Sequence, residues 1–341
     1  MLNYAIIGFG GLGRVHFRNT QELSEKVEDI RLVAICDVDE STFTTQRNIN
    51  ISSSQTQLDL TGYNLYTDVN ELFEKEKLDF IITALPTFIH EKIAVMAMER
   101  GINVFSEKPM AINAEQAQNM LDKAEECNVK LMIGQCVRYF PHYVALKEII
   151  DSGRYGEVKY ADFTRISAIP KWSWENWFQD ESRSGGVVLD MHVHDVDYIN
   201  YVFGKPDSVY TRSSSNFMAY DTVVTHYGYE GKLITASSSW AMSGTYPFTA
   251  EFIVAFEKAT VELKANTFKI YTDSEVIEPD VSCEAVGMPS ESGYVSEVID
   301  FINCIRNNTS SKVNPPESTK LTLDIAIAEK KSAVTGEVVK L

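Results

Sequence analysis

The sequence predicts two domains: an α/β domain with a parallel, doubly wound sheet over residues 1–134, then an α+β domain over 135–341 with a large, mainly antiparallel open sheet. Three observations predict it. The length of 341 residues exceeds what one ordinary core takes. Apolar runs alternate with helical patterns in the first part, which implies parallel βαβ units. After about residue 135 the texture changes to β-branched and aromatic runs joined by tight turns, which implies antiparallel pairing.

The first strand is Ala5–Gly8, and a helix follows from Gly13. Ile30–Asp37 is a second strand ending in an acid, and the weakly patterned stretch from Ser41 to Thr61 reads as part helix, part surface loop. Tyr66–Lys77 reads as a short helix capped by Thr67 or Asp68, and Leu78–Ala84 as the next strand. Ile89–Arg100 is a helix closed by Gly101, Ile102–Phe105 a strand, Asn113–Asn128 a helix capped by Asn113, and Lys130–Gly134 a strand. In the second part the strands are Glu157–Ser167, Ser208–Phe217, Thr222–Tyr229, Lys232–Trp240, Ala250–Phe256, Ala259–Lys264 and Thr267–Thr272. Helices are expected over Val187–Phe203, over Tyr294–Asn307 and from near Ser318, the last one packing back on the first domain.

Composition excludes several classes. The net charge of −17 repels phosphate backbones and anionic lipids, and no basic stripe reverses it, so nucleic acid is not an expected partner. No run of about 18 apolar residues occurs, so no membrane span is expected. The start lacks a basic region and a cleavage site and reads as a core strand. Five scattered cysteines without C-x-x-C spacing read as reduced thiols of a cytoplasmic protein.

Gly8-Phe9-Gly10-Gly11-Leu12-Gly13 matches G-x-G-x-x-G between a strand and a helix. Gly8 permits the tight turn, Gly10 admits a pyrophosphate to the backbone, and Gly13 allows helix and strand to pack closely. This is the dinucleotide turn of a Rossmann domain. Asp37, at the end of the second strand, is where a carboxylate bonds the ribose hydroxyls of NAD. Asp39 and Glu40 add negative charge and no basic residue follows at once, so NAD is favoured over NADP. The plain alternative for Asp37 is a solvated turn residue.

Four further segments make a family resemblance. Ala84-Leu85-Pro86-Thr87-Phe88-Ile89-His90, Glu107-Lys108-Pro109, Gly185–Asp197 and the stretch from Tyr294 to Ser332 together resemble the Gfo/Idh/MocA oxidoreductases. These include glucose-fructose oxidoreductase and inositol dehydrogenase, whose usual reaction is oxidation of a sugar or polyol hydroxyl. The resemblance implies that Lys108 is the active-site lysine, and Asp190 and His194 the aspartate–histidine pair. It carries the cofactor-binding set over to Gly8, Gly10, Gly11, Leu12, Gly13 and Asp37, with Pro86, His90, Glu107 and Lys108 at the nicotinamide end. It places Arg138, at the start of the second domain, at the substrate. Two departures stand out: His192 replaces a usual glycine, and Gly-Gly replaces Gly-Gly-Gly.

Lys108 precedes a proline at a strand end, where a lysine can stabilise developing alkoxide charge; its plain alternative is a surface lysine before a turn. On a helix Asp190, His194 and Asp197 share one face. His194 can then accept the hydroxyl proton while Asp190 orients its imidazole, and Asp197 reads as structural. His192, His194 and Asp195 invite a metal, but histidines two apart on a helix diverge by about 200°, so none is expected. His192 contacts substrate or bonds to backbone, with neither favoured. Trp172, Trp174 and Trp177, in a loop with Lys171 and Arg183, suit stacking on a sugar face or a lid or interface equally. His142, His16 and His226 read as structural.

The sequence thus points to an NAD(H)-dependent dehydrogenase acting on a secondary hydroxyl of a sugar, inositol or derivative, as a homodimer or homotetramer. The rivals are a family member of other chemistry (NAD-dependent glycoside cleavage or imine reduction) and a non-catalytic NAD- and sugar-sensing regulator.

Overall fold

The computed structural model describes residues 1–45, 58–170, 174–215 and 220–341. Its first elements are β1 (Leu2–Ile7), α1 (Gly11–Lys26), β2 (Ile30–Cys36), β3 (Asn64–Tyr66), α2 (Val69–Lys75) and β4 (Phe80–Thr83). There follow α3 (His90–Met98), β5 (Asn103–Glu107), α4 (Ala114–Glu126), β6 (Leu131–Gly134), α5 (Pro141–Ser152), β7 (Val158–Ala168) and α6 (Glu181–Ser184). A π-helical turn over Val188–His192 runs into α7 (Val193–Phe203). Strands β8 (Ser208–Ser214), β9 (Thr222–Tyr229), β10 (Lys232–Met242), β11 (Thr249–Phe256), β12 (Thr260–Lys264), β13 (Thr267–Tyr271) and β14 (Val276–Ile277) come next. The chain closes with α8 (Gly293–Asn307), α9 (Pro316–Thr335) and β15 (Val339–Lys340).

Several expectations change. Tyr66 ends a short strand, and the helix starts after it, with Asp68 capping the Asn70 N–H. Between Ser41 and Thr61 the structure shows a 3-10 turn at Glu40–Phe43, while 46–57 lie outside the described residues. Helix α5 has no counterpart in the sequence reading; Pro141 starts it and Gly153, at φ 62°, ends it.

Contacts divide the chain into two compact units. The first holds residues 1–135, 170–184 and 294–320; the second holds 136–169, 185–293 and 321–341. The first unit's six strands are all parallel, in the order β3-β2-β1-β4-β5-β6. That order reverses between β1 and β4, so the turns after these two strands open side by side at the strand C-termini, where such a sheet binds ligands. Apolar packing fixes the sheet. Tyr4 and Phe80 stack at 4.8 Å, and Phe301 of α8 meets Phe80 and Phe105 edge-on at 5.8 Å each. Each such buried side chain contributes about 1.5–3 kcal/mol.

The second unit is a nine-stranded sheet in the order β14-β13-β12-β11-β7-β10-β9-β8-β15. Every pair is antiparallel except β7 with β10, which run parallel at the centre. Burial alternates along β9 and β7, so one face is covered. Tyr143 of α5 and Tyr198 of α7 lie on that face, with Tyr143 5.3 Å from Phe252 and Tyr198 5.8 Å from Phe163.

Candidate active site

The Gly8–Gly13 turn is built to receive an anion. Gly8 has φ +90°, and a Cβ there would lie 2.4 Å from the Ala84 carbonyl oxygen. A Cβ at Gly13 would come within 1.9 Å of the Gly8 carbonyl, so helix and strand touch backbone to backbone. At Gly10 a Cβ would meet nothing within 4 Å, which leaves open space over the turn. No side chain caps α1 and no acid lies in its first turn, so its leading N–H groups and dipole are available to a phosphate. Within the turn, Gly11 is buried and Leu12 half-buried. Asp37 fastens the turn from the end of β2: it accepts the Phe9 N–H at 2.6 Å and the Asp39 N–H at 2.9 Å. These residues fit a dinucleotide.

Lys108 follows β5. From Val104 to Ala111 every residue is buried except Lys108, which is half-exposed. The bond to Pro109 is cis. Glu107, expected at the nicotinamide, is instead buried against His16 of α1, with Nε2 and Oε1 2.7 Å apart. Its other oxygen accepts the Lys108 N–H at 3.3 Å, and Gly134 leaves room for it, since a Cβ there would come to 3.1 Å of that carboxylate. Both Glu107 oxygens therefore serve the strand end.

His90 is completely buried, and both ring nitrogens face backbone carbonyls: Nδ1 that of Pro109 and Nε2 that of Leu85, each at 2.8 Å. Burial lowers its pKa. Held neutral, it has a single N–H for two acceptors and ties Leu85 to Pro109 rather than offering a nitrogen to a ligand. Pro86, beside it, stays half-exposed.

In the second unit, Gly185 and Gly186 both take positive φ, 77° and 70°, and lead into the π turn. From Gly185 to Asn200 every residue is buried except Asp190 and His194. Asp190 lies within the π turn, so the regular helical spacing expected over 190–197 gives way to a wider turn up to His192 and resumes in α7; such turns are frequent at functional sites.

Two buried bidentate ion pairs hold the neighbouring residues. Arg138 reaches Asp197 through Nε at 2.7 Å and Nη2 at 2.6 Å, with both side chains fully buried. Arg165 reaches Asp195 through Nε and Nη2, each at 2.9 Å. Burial works against each guanidinium's charge, yet its aspartate raises the pKa above the ordinary value. Arg138, expected at the substrate, thus neutralises Asp197 inside the fold. His192, for which the sequence leaves substrate and backbone contact open, is 0% exposed, with Nδ1 2.9 Å from Ser238 Oγ and Nε2 3.4 Å from Tyr227 Oη, so its partners in the fold are side chains.

Trp172 lies outside the described residues. Trp174 is exposed, and the Arg183 guanidinium lies over it at 5.4 Å and over Phe88 at 5.0 Å. Trp177 packs on Phe178 at 4.3 Å. Among the described residues no three His, Cys, Asp or Glu form a group that could hold a metal, and no helix is long and apolar enough to cross a membrane. His16, read as structural, braces Glu107; sequence reasoning missed the roles of Arg165, Ser238 and Tyr227. Their partners lie 30, 46 and 35 residues away, a separation that leaves no local pattern to find.

A six-stranded parallel unit with this turn defines an NAD-binding Rossmann oxidoreductase. The chain belongs to the Gfo/Idh/MocA family: residues 2–135 match the model described as an oxidoreductase family with NAD-binding Rossmann fold, and 143–262 match the family's C-terminal domain. It is 24% identical to scyllo-inositol 2-dehydrogenase (NAD(+)) of Bacillus subtilis, with 99% of this chain and 95% of the relative covered. It is 26% identical to 2,7-anhydro-N-acetylneuraminate hydratase of Mediterraneibacter gnavus, where the match takes in 63% of this chain and about half (53%) of the relative's length. Among solved structures, levoglucosan dehydrogenase in complex with NADH and levoglucosan superposes with a TM-score of 0.82 at 17% identity, covering 99% of both chains. The WlbA dehydrogenase from Bordetella pertussis, in complex with NADH and UDP-GlcNAcA, gives 0.81 at 21% identity over 100% of this chain and 97% of that one.

Proposed function

We propose that this chain oxidises a secondary hydroxyl of a sugar, inositol or related polyol, using NAD. The observation that carries the reading is selective exposure. Lys108, Asp190 and His194 are the residues that escape burial within otherwise buried stretches, 104–111 and 185–200, and they are the ones whose chemistry the reaction needs. The pyrophosphate would rest on the Gly8–Gly13 turn, with Gly11 and Leu12 in its helical first turn, and the ribose hydroxyls on Asp37. Pro86 and Lys108 mark the nicotinamide end, with His90 and Glu107 supporting them from beneath. A nicotinamide supplies the hydride acceptor.

The chain's residues supply the proton chemistry. The Lys108 ammonium donates to the reacting oxygen and stabilises its developing negative charge. The His194 imidazole accepts the hydroxyl proton, a task suited to a group that titrates near neutrality. Asp190 stabilises the imidazolium that results. Asp37 also sets the cofactor: a 2′-phosphate beside it would place two anions together, which favours NAD over NADP.

The exposed faces of Leu233, Val224 and Tyr160 on the nine-stranded sheet support a homodimer or homotetramer closed over that face. Five scattered cysteines without C-x-x-C spacing support a reducing, cytoplasmic setting. The hydratase among the relatives favours a second reading, in which the same groups act with no net reduction of the cofactor. Thermal-shift screening of NAD, NADH and a sugar and polyol panel, then absorbance at the NADH band, separates the two. NADH accumulation with an inositol or sugar supports the dehydrogenase; a converted sugar without NADH supports the second reading.

A further inference from the structure

Two positions after Asp190 and two before His194, the π turn ends on a histidine that the reaction does not use. His192 is fully buried; Ser238 of β10, 2.9 Å from Nδ1, and Tyr227 of β9, 3.4 Å from Nε2, hold it, and the carboxylate of Glu329 on α9 lies 3.6 Å from Nε2. All lie within the second unit. A buried imidazole that loses its partners is costly, because no water replaces them. Rotating the turn to an ordinary α-helical one would swing His192 away from all three. Its neighbours Met191 and Val193 are buried as well, so the turn has no low-cost alternative setting.

We propose that His192 is a positioning residue, a peg that fixes the wide turn and thereby the direction of Asp190 within it and of His194 in the first turn of α7. This rests on the reading of His194 as proton acceptor. Geometry of this kind matters because displacing a reacting group by about 1 Å from a remote site can cost on the order of 100-fold in rate.

The test uses the full chain with NAD and a polyol or sugar that the panel shows to be oxidised, together with side-chain NMR of the six histidines. The His194 resonance is assigned by its loss in His194→Ala. His192→Thr and Ser238→Ala should each lower kcat roughly 10- to 100-fold, leave the KM for NAD within about twofold, and move the titration midpoint of His194. His192→Asn, whose amide can reach Ser238, should restore most of the rate. Thr211→Ala, which removes a buried 2.9 Å hydroxyl pair with Thr225 in the same sheet, should move neither readout. Unchanged turnover and an unchanged His194 midpoint in both His192→Thr and Ser238→Ala would overturn the proposal. So would equal losses in Thr211→Ala. If His192→Thr does not fold, Ser238→Ala decides. If His194→Ala keeps full turnover, the reading of the reaction fails; a moved His194 midpoint in Ser238→Ala would still show the peg at work.

Discussion

Lys108 follows directly on a strand of a six-stranded ladder of backbone hydrogen bonds, whereas Asp190 lies in a wide helical turn, and His194 just after it, held by side chains from other elements. The first region borrows its rigidity from regular structure, with Glu107 and His16 added as a buried brace. The second takes it from Arg138–Asp197, Arg165–Asp195 and the His192 contacts, all buried polar interactions between residues far apart in sequence. A functional group can thus be aimed by a repeating backbone or by a few irreplaceable side chains, and the two kinds of support should fail differently.

The largest expected effect lies in the second region. Arg165→Ala strands the Asp195 carboxylate in the fold, and breaking a buried pair from one side costs about 3–5 kcal/mol. Chemical denaturation should show that loss, and likewise for Arg138→Ala. Replacing both partners, Arg165→Met with Asp195→Leu, should recover much of it; no recovery would mean that the pair does more than neutralise itself.

The cofactor turn should respond by a smaller, more specific amount. Asp37→Ser removes the carboxylate proposed to meet the ribose, and the ratio of NAD to NADP affinity should narrow by about tenfold, or about 1.4 kcal/mol. Isothermal titration with both cofactors measures it, and an unchanged ratio would assign the discrimination elsewhere.

Smaller still is an acid effect in the first region. Burial holds the folded pKa of His90 below its ordinary 6.5. Below about 6.5 the unfolded chain binds protons that the fold refuses, so stability is full above that pH and falls as pH drops through this window. His90→Gln, which keeps one donor for the two carbonyls, should flatten the fall in thermal melts between pH 7 and 5. A steeper fall would reverse the sign of the account.

The same contrast explains what the sequence discloses. The parallel sheet follows from apolar runs and one glycine turn, because each strand and cap is written in contiguous residues; Asp68 and Asn113 cap the helices they were expected to cap. The antiparallel strands follow from alternation, while the central parallel pairing of β7 with β10 does not, since register between distant strands leaves no local mark. Lys108, Asp190 and His194 stand out through motif resemblance. The resemblance draws Arg138 towards the substrate and leaves His192, a departure from the family pattern, open; their buried partners, Asp197 for one and Ser238 and Tyr227 for the other, come from distant parts of the chain. The π turn leaves no local pattern, and the contacts at its end, His192 with Ser238 among them, are tertiary.

The most direct measurement compares Lys108→Ala and His194→Ala with the wild type in two assays on the same protein: NAD binding by calorimetry and NADH formation on an oxidised polyol or sugar. Both variants should bind NAD within about twofold of wild type, since the Gly8–Gly13 turn and Asp37 are untouched. Each should lose roughly 10²–10⁴ in rate, the range for removing a proton acceptor or a donor to developing charge. Wild-type turnover in either variant would contradict the role assigned to that residue.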